Sequence, residues 1–456
     1  MHARNPYQHP LDFLALAQAY PALKTHLIHT LHGAAIDFKN ETAQRSVYPV
    51  PPSPLTHHLF ICFRRLTEAI LHRDFGLRLD LPSGRLCPPV PNRLNYILWL
   101  EDVLEAVALA EPSNDPARGH VRVFDIGTGA SAIYPLLGCS THPNWKFTAT
   151  EVDSFSIRYA RQNVSQNGLE ERIHIVQADP DGGILAPLER SDVTYDFTMC
   201  NPPFYASREE VIQSAEAKEF EPNAVCTGAD TEMITPGGEA NFVGRMVQES
   251  VQLRDRCRWF TSMLGKMSSL THIVHILREH AVTNYAITEL VQGQTRRWAI
   301  AWSYCDVHLP DPIGRLSHHA LQSILPPRNT LVQPLQQATS PAQVVPILTS
   351  VLASVDGLTV RQKSPESGTA DVIATAYGNT WSRAARRKKR DAMPVEMDSR
   401  AQSEVQLVCR TRLGSNLGEE SAVTLVFDWV AGKDRGLFES FASHVERKVV
   451  GALVLM

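Results

Sequence analysis

A hydrophobic strand that runs into a glycine-spaced turn and then into a helix constrains this chain more than any other feature. Val121-Arg122-Val123-Phe124-Asp125-Ile126 leads into Gly127-Thr128-Gly129-Ala130-Ser131, followed by Ala132-Ile133-Tyr134-Pro135-Leu136-Leu137. Strand, glycine turn and helix is how α/β proteins hold a nucleotide-like cofactor. Glycines there let the backbone approach a ligand closely. The spacing is Gly-x-Gly-x-Ser, not Gly-x-Gly-x-x-Gly, which argues against a dinucleotide. From Val121 to Tyr304, strand-like runs alternate with helical ones. That alternation predicts a mainly parallel sheet with helices on both faces.

The acids downstream fit the same site. Lys146-Phe147-Thr148-Ala149-Thr150 reads as a second strand, ending in Glu151-Val152-Asp153. An acid at that point can accept both ribose hydroxyls of an adenosyl group. Glu151 is best placed to do so, with Asp153 in reserve. A third strand, Arg172–Gln177, brings Asp179 to the same edge, where an adenine would lie. In strand order, Asp125, Gly127, Gly129, Ser131, Glu151 and Asp179 describe a site for S-adenosylmethionine.

A fourth strand, Tyr195–Cys200, opens onto Asn201-Pro202-Pro203-Phe204. An exocyclic aromatic amine is a poor nucleophile because its lone pair is delocalised into the ring. To methylate it, an enzyme must hold both N–H bonds so that the lone pair faces the methyl donor. The Asn201 side-chain carbonyl can accept one N–H and the Pro202 carbonyl the other. Proline restricts its own φ and the residue before it, which pre-aims the acceptors. Phe204 offers a ring on which a base can stack. The tetrapeptide alone does not separate an adenine from a glutamine amide, which poses the same geometric problem.

These motifs sit in a chain that closely resembles the methyltransferase-like protein 16 family of RNA adenine-N6 methyltransferases, relatives of a bacterial 23S rRNA methyltransferase. The resemblance also covers Met1-His2-Ala3-Arg4-Asn5, Asp74-Phe75-Gly76-Leu77, Arg93-Leu94-Asn95-Tyr96-Ile97, Met263-Leu264-Gly265-Lys266 and Gln292–Ala299. It implies a Rossmann-like class I S-adenosylmethionine-dependent methyltransferase with a seven-stranded sheet. It implies methyl transfer to adenosine N6 in structured RNA, with U6 snRNA the leading target and messenger RNA hairpins a further one. It makes Asn201, Pro202, Pro203 and Phe204 the catalytic set and gives Arg93 the methionine carboxylate, which a guanidinium grips bidentately. Arg4 and Lys24 are the RNA-contact candidates in an N-terminal module.

The organisation then reads as an RNA-binding module over 1–95, a methyltransferase core over 96–305, a linker over 306–340 and a small α+β domain over 341–456. The linker is inferred from its Pro, Gln and Ser content. Within the first module, 46–65 is proline-rich and then apolar, and has no counterpart in the family pattern. It reads as an added loop or a translated intron. Residues 205–235 read as a mobile loop, and Leu23–Leu31 as helix. In the family the C-terminal region binds U6 RNA. Here it contains Trp381-Ser382-Arg383-Ala384-Ala385-Arg386-Arg387-Lys388-Lys389-Arg390. That run suits nuclear import or phosphate contact, with Arg386, Arg387 and Lys388 as RNA candidates and Trp381 as a stacking ring.

Composition is consistent with this. Lys and Arg number 44 against 48 Asp and Glu, for a net charge of −4. RNA contact must therefore be a local patch. The 8 cysteines show no zinc spacing, so no metal is expected. No apolar run reaches the ~20 residues that span a bilayer, and no signal peptide opens the chain. The expected location is the nucleus, with the cytoplasm as a further site. Two other readings stay open at this point: a methyltransferase of protein glutamine, rRNA or DNA adenine, and an RNA-binding scaffold.

Overall fold

The computed structural model describes residues 1–30, 33–36, 54–111, 119–216, 228–336, 338, 340–363, 370–383, 385, 387, 404–415 and 423–455. They form two compact units. The first takes in Met1–Leu100, Pro116–Cys305 and Ala320–Ile324; the second takes in Glu101–Asp115, Asp306–His319 and Leu325–Met456.

In the first unit, β1 (Leu27–Thr30) and β2 (Gly33–Ile36) pair antiparallel, beside helices α1 (Phe13–Ala19) and α2 (Pro54–Phe75). Helix α3 (Val90–Ala108) precedes the main sheet. Its strands are β3 (Val121–Ile126), β4 (Trp145–Glu151), β5 (Ile173–Gln177), β6 (Tyr195–Cys200), β7 (Cys257–Leu264), β8 (Tyr285–Gln292) and β9 (Thr295–Trp302). The 7-stranded order is β5-β4-β3-β6-β7-β9-β8. Strands β5 through β7 run parallel, and the closing β8–β9 hairpin is antiparallel. The parallel strands are apolar on both faces, as a covered sheet requires: Val123, Phe124, Phe197, Met199, Trp259 and Phe260 are all buried.

Helices α4 (Ile133–Thr141), α5 (Ser154–Gln166), α6 (Arg208–Glu216), α7 (Gly238–Ser250) and α8 (Met267–Glu279) complete this unit. Gly138 inside α4 has a packing reason. A Cβ there would lie 2.5 Å from Phe147 Cζ, so only glycine lets α4 approach β4. The strand order reverses direction between β3 and β6. That switch point is where open α/β sheets bind ligands, and it carries both the glycine turn and Asn201–Phe204.

The second unit has its own core. Strands β10 (Thr330–Pro334), β11 (Leu358–Gln362), β12 (Asp371–Ala376), β13 (Leu407–Ser415) and β14 (Val423–Ala431) form a 5-stranded antiparallel sheet in the order β10-β14-β13-β12-β11. Helices α9 (Pro341–Ala353) and α10 (Arg435–Val454) pack against each other and, with Leu425, Phe427, Phe438 and Phe441, enclose its core.

Several expectations change. The segment 306–340 is not a bare linker, since β10 lies within it; Pro334 is tolerated because β10 is an edge strand. Residues 54–65 are not a separable insert: Leu59–Phe63 falls within the 22-residue α2, and Cys62 is fully buried. Residues 46–53 lie outside the described residues. Leu27–Thr30 is strand rather than helix. The segment 205–235 contains α6 and a helical turn, Asp230–Met233, on either side of 217–227, which lies outside the described residues. The 95/96 boundary falls inside α3. Trp381 is 3% exposed, donates Nε1–H to Ser440 Oγ at 3.2 Å and meets Phe441 edge-on at 5.2 Å. It is a core residue of the second unit, not a ring free to stack on a base.

The N-terminal segment is tied down by one side chain. Asn95, fully buried in α3, accepts from His2 N–H at 3.0 Å and from Asn5 Nδ2 at 2.8 Å. Its own Nδ2 donates to Val291 O at 3.2 Å, at the end of β8. Asn95→Ala removes the acceptor of His2 N–H, the donor to Val291 O and one of the two acceptors of Asn5 Nδ2, which also donates to Pro91 O at 3.0 Å, so it should cost about 1–3 kcal/mol of stability. Chemical denaturation checks this: an unchanged midpoint and slope would show that the hub adds no net stability.

Candidate cofactor and acceptor site

The glycine turn is held open by its backbone. Gly127 has φ +69° and Gly129 φ +66°, a left-handed conformation that glycine adopts without strain. Ala132 also lies there, at φ +47°, immediately before α4. The turn is pinned to the neighbouring strand by Thr128 N–H donating to Thr150 O at 2.9 Å.

Glu151, 7% exposed, closes the turn. Its Oε2 accepts Gly129 N–H at 2.9 Å, and its Oε1 accepts Val152 N–H at 2.8 Å and Asp153 N–H at 3.0 Å. Burial raises its pKa, against the pull of those three amides. Oε1 is thus engaged twice, so acceptor capacity for a ribose lies mainly on Oε2. Asp153, the reserve acceptor, has another job: it caps α5 through Ser156 N–H at 3.0 Å and pairs with Arg85. Ser131 is buried beside the turn, while Asp179 is exposed past the end of β5 and accepts Asp181 N–H at 3.1 Å.

Asp125 is the unusual group. It is 1% exposed, and neither of its carboxyl oxygens nor the nearby Thr128 hydroxyl makes a well-formed hydrogen bond. Burial pushes its carboxyl up to about 7; the nearby Thr128 hydroxyl and the charge of Arg93 oppose this, and the charge of Glu151 adds to it. Arg93, 7% exposed, sits on the first turn of α3 with its guanidinium 5.5 Å from the centre of the Tyr134 ring. Tyr134 donates its hydroxyl to Met263 Sδ at 2.9 Å. Arg93 therefore lies within α3, and close enough to Asp125 for its charge to act on that carboxyl.

Asn201 follows Cys200, which pairs with Ile126 across β3 and β6. Its Oδ1 is buried and unpartnered. Phe204 stands beside Gly265, and the Arg297 guanidinium lies 5.4 Å from its ring centre. The structure thus gathers Arg93, Asp125, Gly127, Gly129, Ser131, Glu151 and the Asn201–Phe204 segment at one end of the sheet. Arg4 and Lys24 lie in the N-terminal segment; Arg4 donates to Leu98 O at 3.2 Å, and Lys24 is exposed. Arg387 is exposed, and Arg386 and Lys388 lie outside the described residues.

The sequence did not point to three residues here. Arg85 stacks 4.9 Å from the Phe155 ring centre while it holds Asp153. Glu232 accepts Leu86 N–H at 3.0 Å and Ala229 N–H at 2.9 Å, and its Oε1 lies 3.5 Å from where a Cβ on Gly129 would be. Glu239 grips the turn after β7. Among the described residues there is no group of three His, Cys, Asp or Glu side chains fit to hold a metal, and no helix long and apolar enough to cross a membrane.

The profile of a family described as RNA methyltransferase matches residues 55–306, more than half of the chain. The chain belongs to this family. Human RNA N(6)-adenosine-methyltransferase METTL16 is 38% identical over 409 residues, which is 86% of this chain and 68% of that protein. The U6 small nuclear RNA (adenine-(43)-N(6))-methyltransferase of Schizosaccharomyces pombe is 36% identical over 385 residues, 84% of this chain and 92% of that protein. Among solved structures, the human METTL16 catalytic domain with a MAT2A 3'UTR hairpin superposes with a TM-score of 0.57 at 40% identity, over 70% of this chain and 99% of that one. The human N-terminal domain in complex with SAH gives 0.51 at 39% identity, over 67% and 99%. The RNA methyltransferase sheet expected from the sequence is thus the one found.

The buried acid of this methyltransferase fold gives a pH signature. Asp125 in the folded chain holds a proton that the unfolded chain releases near 3.8. Ligand-free stability should therefore fall as pH rises from about 4 to about 7, and level off above. Asp125→Asn should remove a decline on the order of 1–3 kcal/mol. Melting curves from pH 5 to 8 compare the two; parallel curves would show that Asp125 ionises freely.

Proposed function

We propose that this protein methylates N6 of an adenosine in structured RNA, with U6 snRNA as its first target and messenger RNA hairpins as a second class. The observation that carries the reading is the buried, unpartnered Oδ1 of Asn201 beside the glycine turn. An acceptor left without a donor in a buried site costs stability, and an incoming amine would satisfy it. The named activities of the human and fission-yeast relatives support RNA over a protein amide or DNA.

S-adenosylmethionine supplies the electrophilic methyl group when bound. The residues present fit it. Arg93 is a buried cation for a carboxylate, Glu151 Oε2 an acceptor for a ribose hydroxyl, and Gly127 and Gly129 leave the backbone open to close approach. Asn201 Oδ1 and the Pro202 carbonyl accept the two N–H bonds of the target amine, which turns its lone pair out of the ring plane. Phe204 stacks on the base, so the adenosine must leave its own stack, and an unpaired or bulged base is the preferred substrate. Catalysis is orientation and electrostatic positioning. No base is needed before transfer, because an N–H becomes acidic only once the new N–C bond has made the nitrogen cationic; the proton then passes to water.

RNA is held, in this reading, by Arg4 and Lys24 at the N-terminus and by Arg386, Arg387 and Lys388 in the second unit. The same basic run suits import, which supports a nuclear location alongside a nuclear RNA target.

Asn201→Ala should cut methyl transfer to U6 RNA by on the order of 10²–10³, by analogy with the loss of one oxyanion donor, while cofactor and RNA affinities stay near wild type. Near-normal turnover would sink the assignment. Glu151→Ala removes a ribose acceptor and the tie on the glycine turn together. Calorimetry should show cofactor binding weaker by roughly 1.5–3 kcal/mol, and unchanged affinity would exclude Glu151 from the site.

A further inference from the structure

Glu239 lies on the first turn of α7, where an acid ordinarily faces water. It is instead 2% exposed. Its carboxylate crosses to the turn that follows β7: Oε2 accepts Gly265 N–H at 2.6 Å, and Oε1 accepts Lys266 N–H at 2.8 Å and Ser269 Oγ–H at 2.6 Å. Three donors from one turn and the start of α8 thus converge on one side chain. Lys266 precedes α8 and gives it no side-chain cap; Glu239 instead holds the two backbone amides that lead into the helix and the hydroxyl of Ser269 in its first turn.

The turn that Glu239 holds is the one that touches the stacking ring. A Cβ on Gly265 would lie 2.8 Å from Phe204 Cδ1 and 3.2 Å from Cε1. The backbone of Gly265 is therefore packed on the ring with no room for a methyl group. The chain behind lies in ordinary contact: Gly237 at φ +75° precedes α7 and Gly238 at φ +67° begins it, and a Cβ on Gly238 would lie 3.5 Å from Phe204 O. The Phe204 backbone and ring are thus bounded by the two segments that Glu239 joins.

We propose that Glu239 is a positioning residue for methyl transfer, which sets where the Phe204 ring stands by holding the Gly265 turn against it. The proposal rests on the reading of Phe204 as the ring that stacks on the target base. A role limited to fastening the turn ahead of α8 would lower stability and leave the ring's contribution to turnover untouched.

The test is a double-mutant cycle on the full chain, with U6 RNA as substrate and the same RNA carrying 2-aminopurine at the target position as a stacking probe. Glu239→Gln puts an amide N–H where an acceptor stood. A ring displaced by ~1 Å lowers kcat by on the order of 10²-fold, with reduced quenching of 2-aminopurine and unchanged S-adenosylmethionine affinity. In a Phe204→Ala background, Glu239→Gln should change kcat by less than about twofold, since coupled residues are not additive. Gly265→Ala, which crowds the ring directly, should behave as Glu239→Gln does, and it serves as the second arm if Glu239→Gln melts below assay temperature. Equal losses in both backgrounds, or loss of cofactor affinity, would overturn the role of Glu239 alone. A wild-type protein that neither methylates nor quenches the probe overturns the reading of the site, and this proposal with it.

Discussion

One carboxylate, that of Glu151, gathers backbone N–H groups from two strand ends, and the geometry of the site depends on it. In the turns after β3 and β4, Gly129, Val152 and Asp153 turn their amides away from the sheet, and buried amides must find acceptors. Glu151 accepts from Gly129, Val152 and Asp153 at once. Taking the acid out of water is costly, and three charge-assisted hydrogen bonds offset that cost. The glycine turn therefore stands open, rather than collapsing onto the sheet.

The same device recurs around the edge. Glu239 collects Gly265, Lys266 and Ser269, and Glu232 collects Leu86 and Ala229. Each acid staples a turn that belongs to a distant part of the chain. Against this background the unsatisfied groups stand out. Asp125 faces only the Thr128 hydroxyl, without a well-formed bond between them, and Asn201 Oδ1 has no partner, while their neighbours are saturated. Buried polar groups in folded proteins are nearly all paired, so a cluster of exceptions at the switch point of the sheet marks where a ligand completes the structure.

The parts of this architecture that the sequence revealed are those written in short range. The β3 strand with its glycine turn, the acid at the end of β4 and the tetrapeptide after β6 are all local patterns, and each lies where they placed it. What stayed hidden depends on contacts across the chain. Nothing near Glu239 announces that its partners are some 26–30 residues away. Arg85 and Asp153 are likewise separated by 68 positions. Strand β12, Asp371–Ala376, has only two large apolar residues, Val372 and Ile373, before its two alanines and was not legible; β11 and β13 flank it in the sheet. Composition misled at 306–340, where Pro and Gln suggested a linker although Thr330–Pro334 pairs with β14. It misled again at Trp381, where neighbouring arginines suggested an RNA-facing ring.

That last correction changes how the basic run is presented. Trp381 is held in the core of the second unit by Ser440 and Phe441. The run that follows therefore departs from a fixed point on a folded sheet, and not from a free tail. An anchored start lowers the entropy lost when the cations meet a phosphate backbone. It also makes RNA grip by this run depend on the fold of the second unit. The two units then divide the labour by physics rather than by sequence position. The first supplies saturated turns that frame a few unsatisfied atoms; in the proposed reading the second supplies a basic run whose phosphate contacts add affinity without specifying a base.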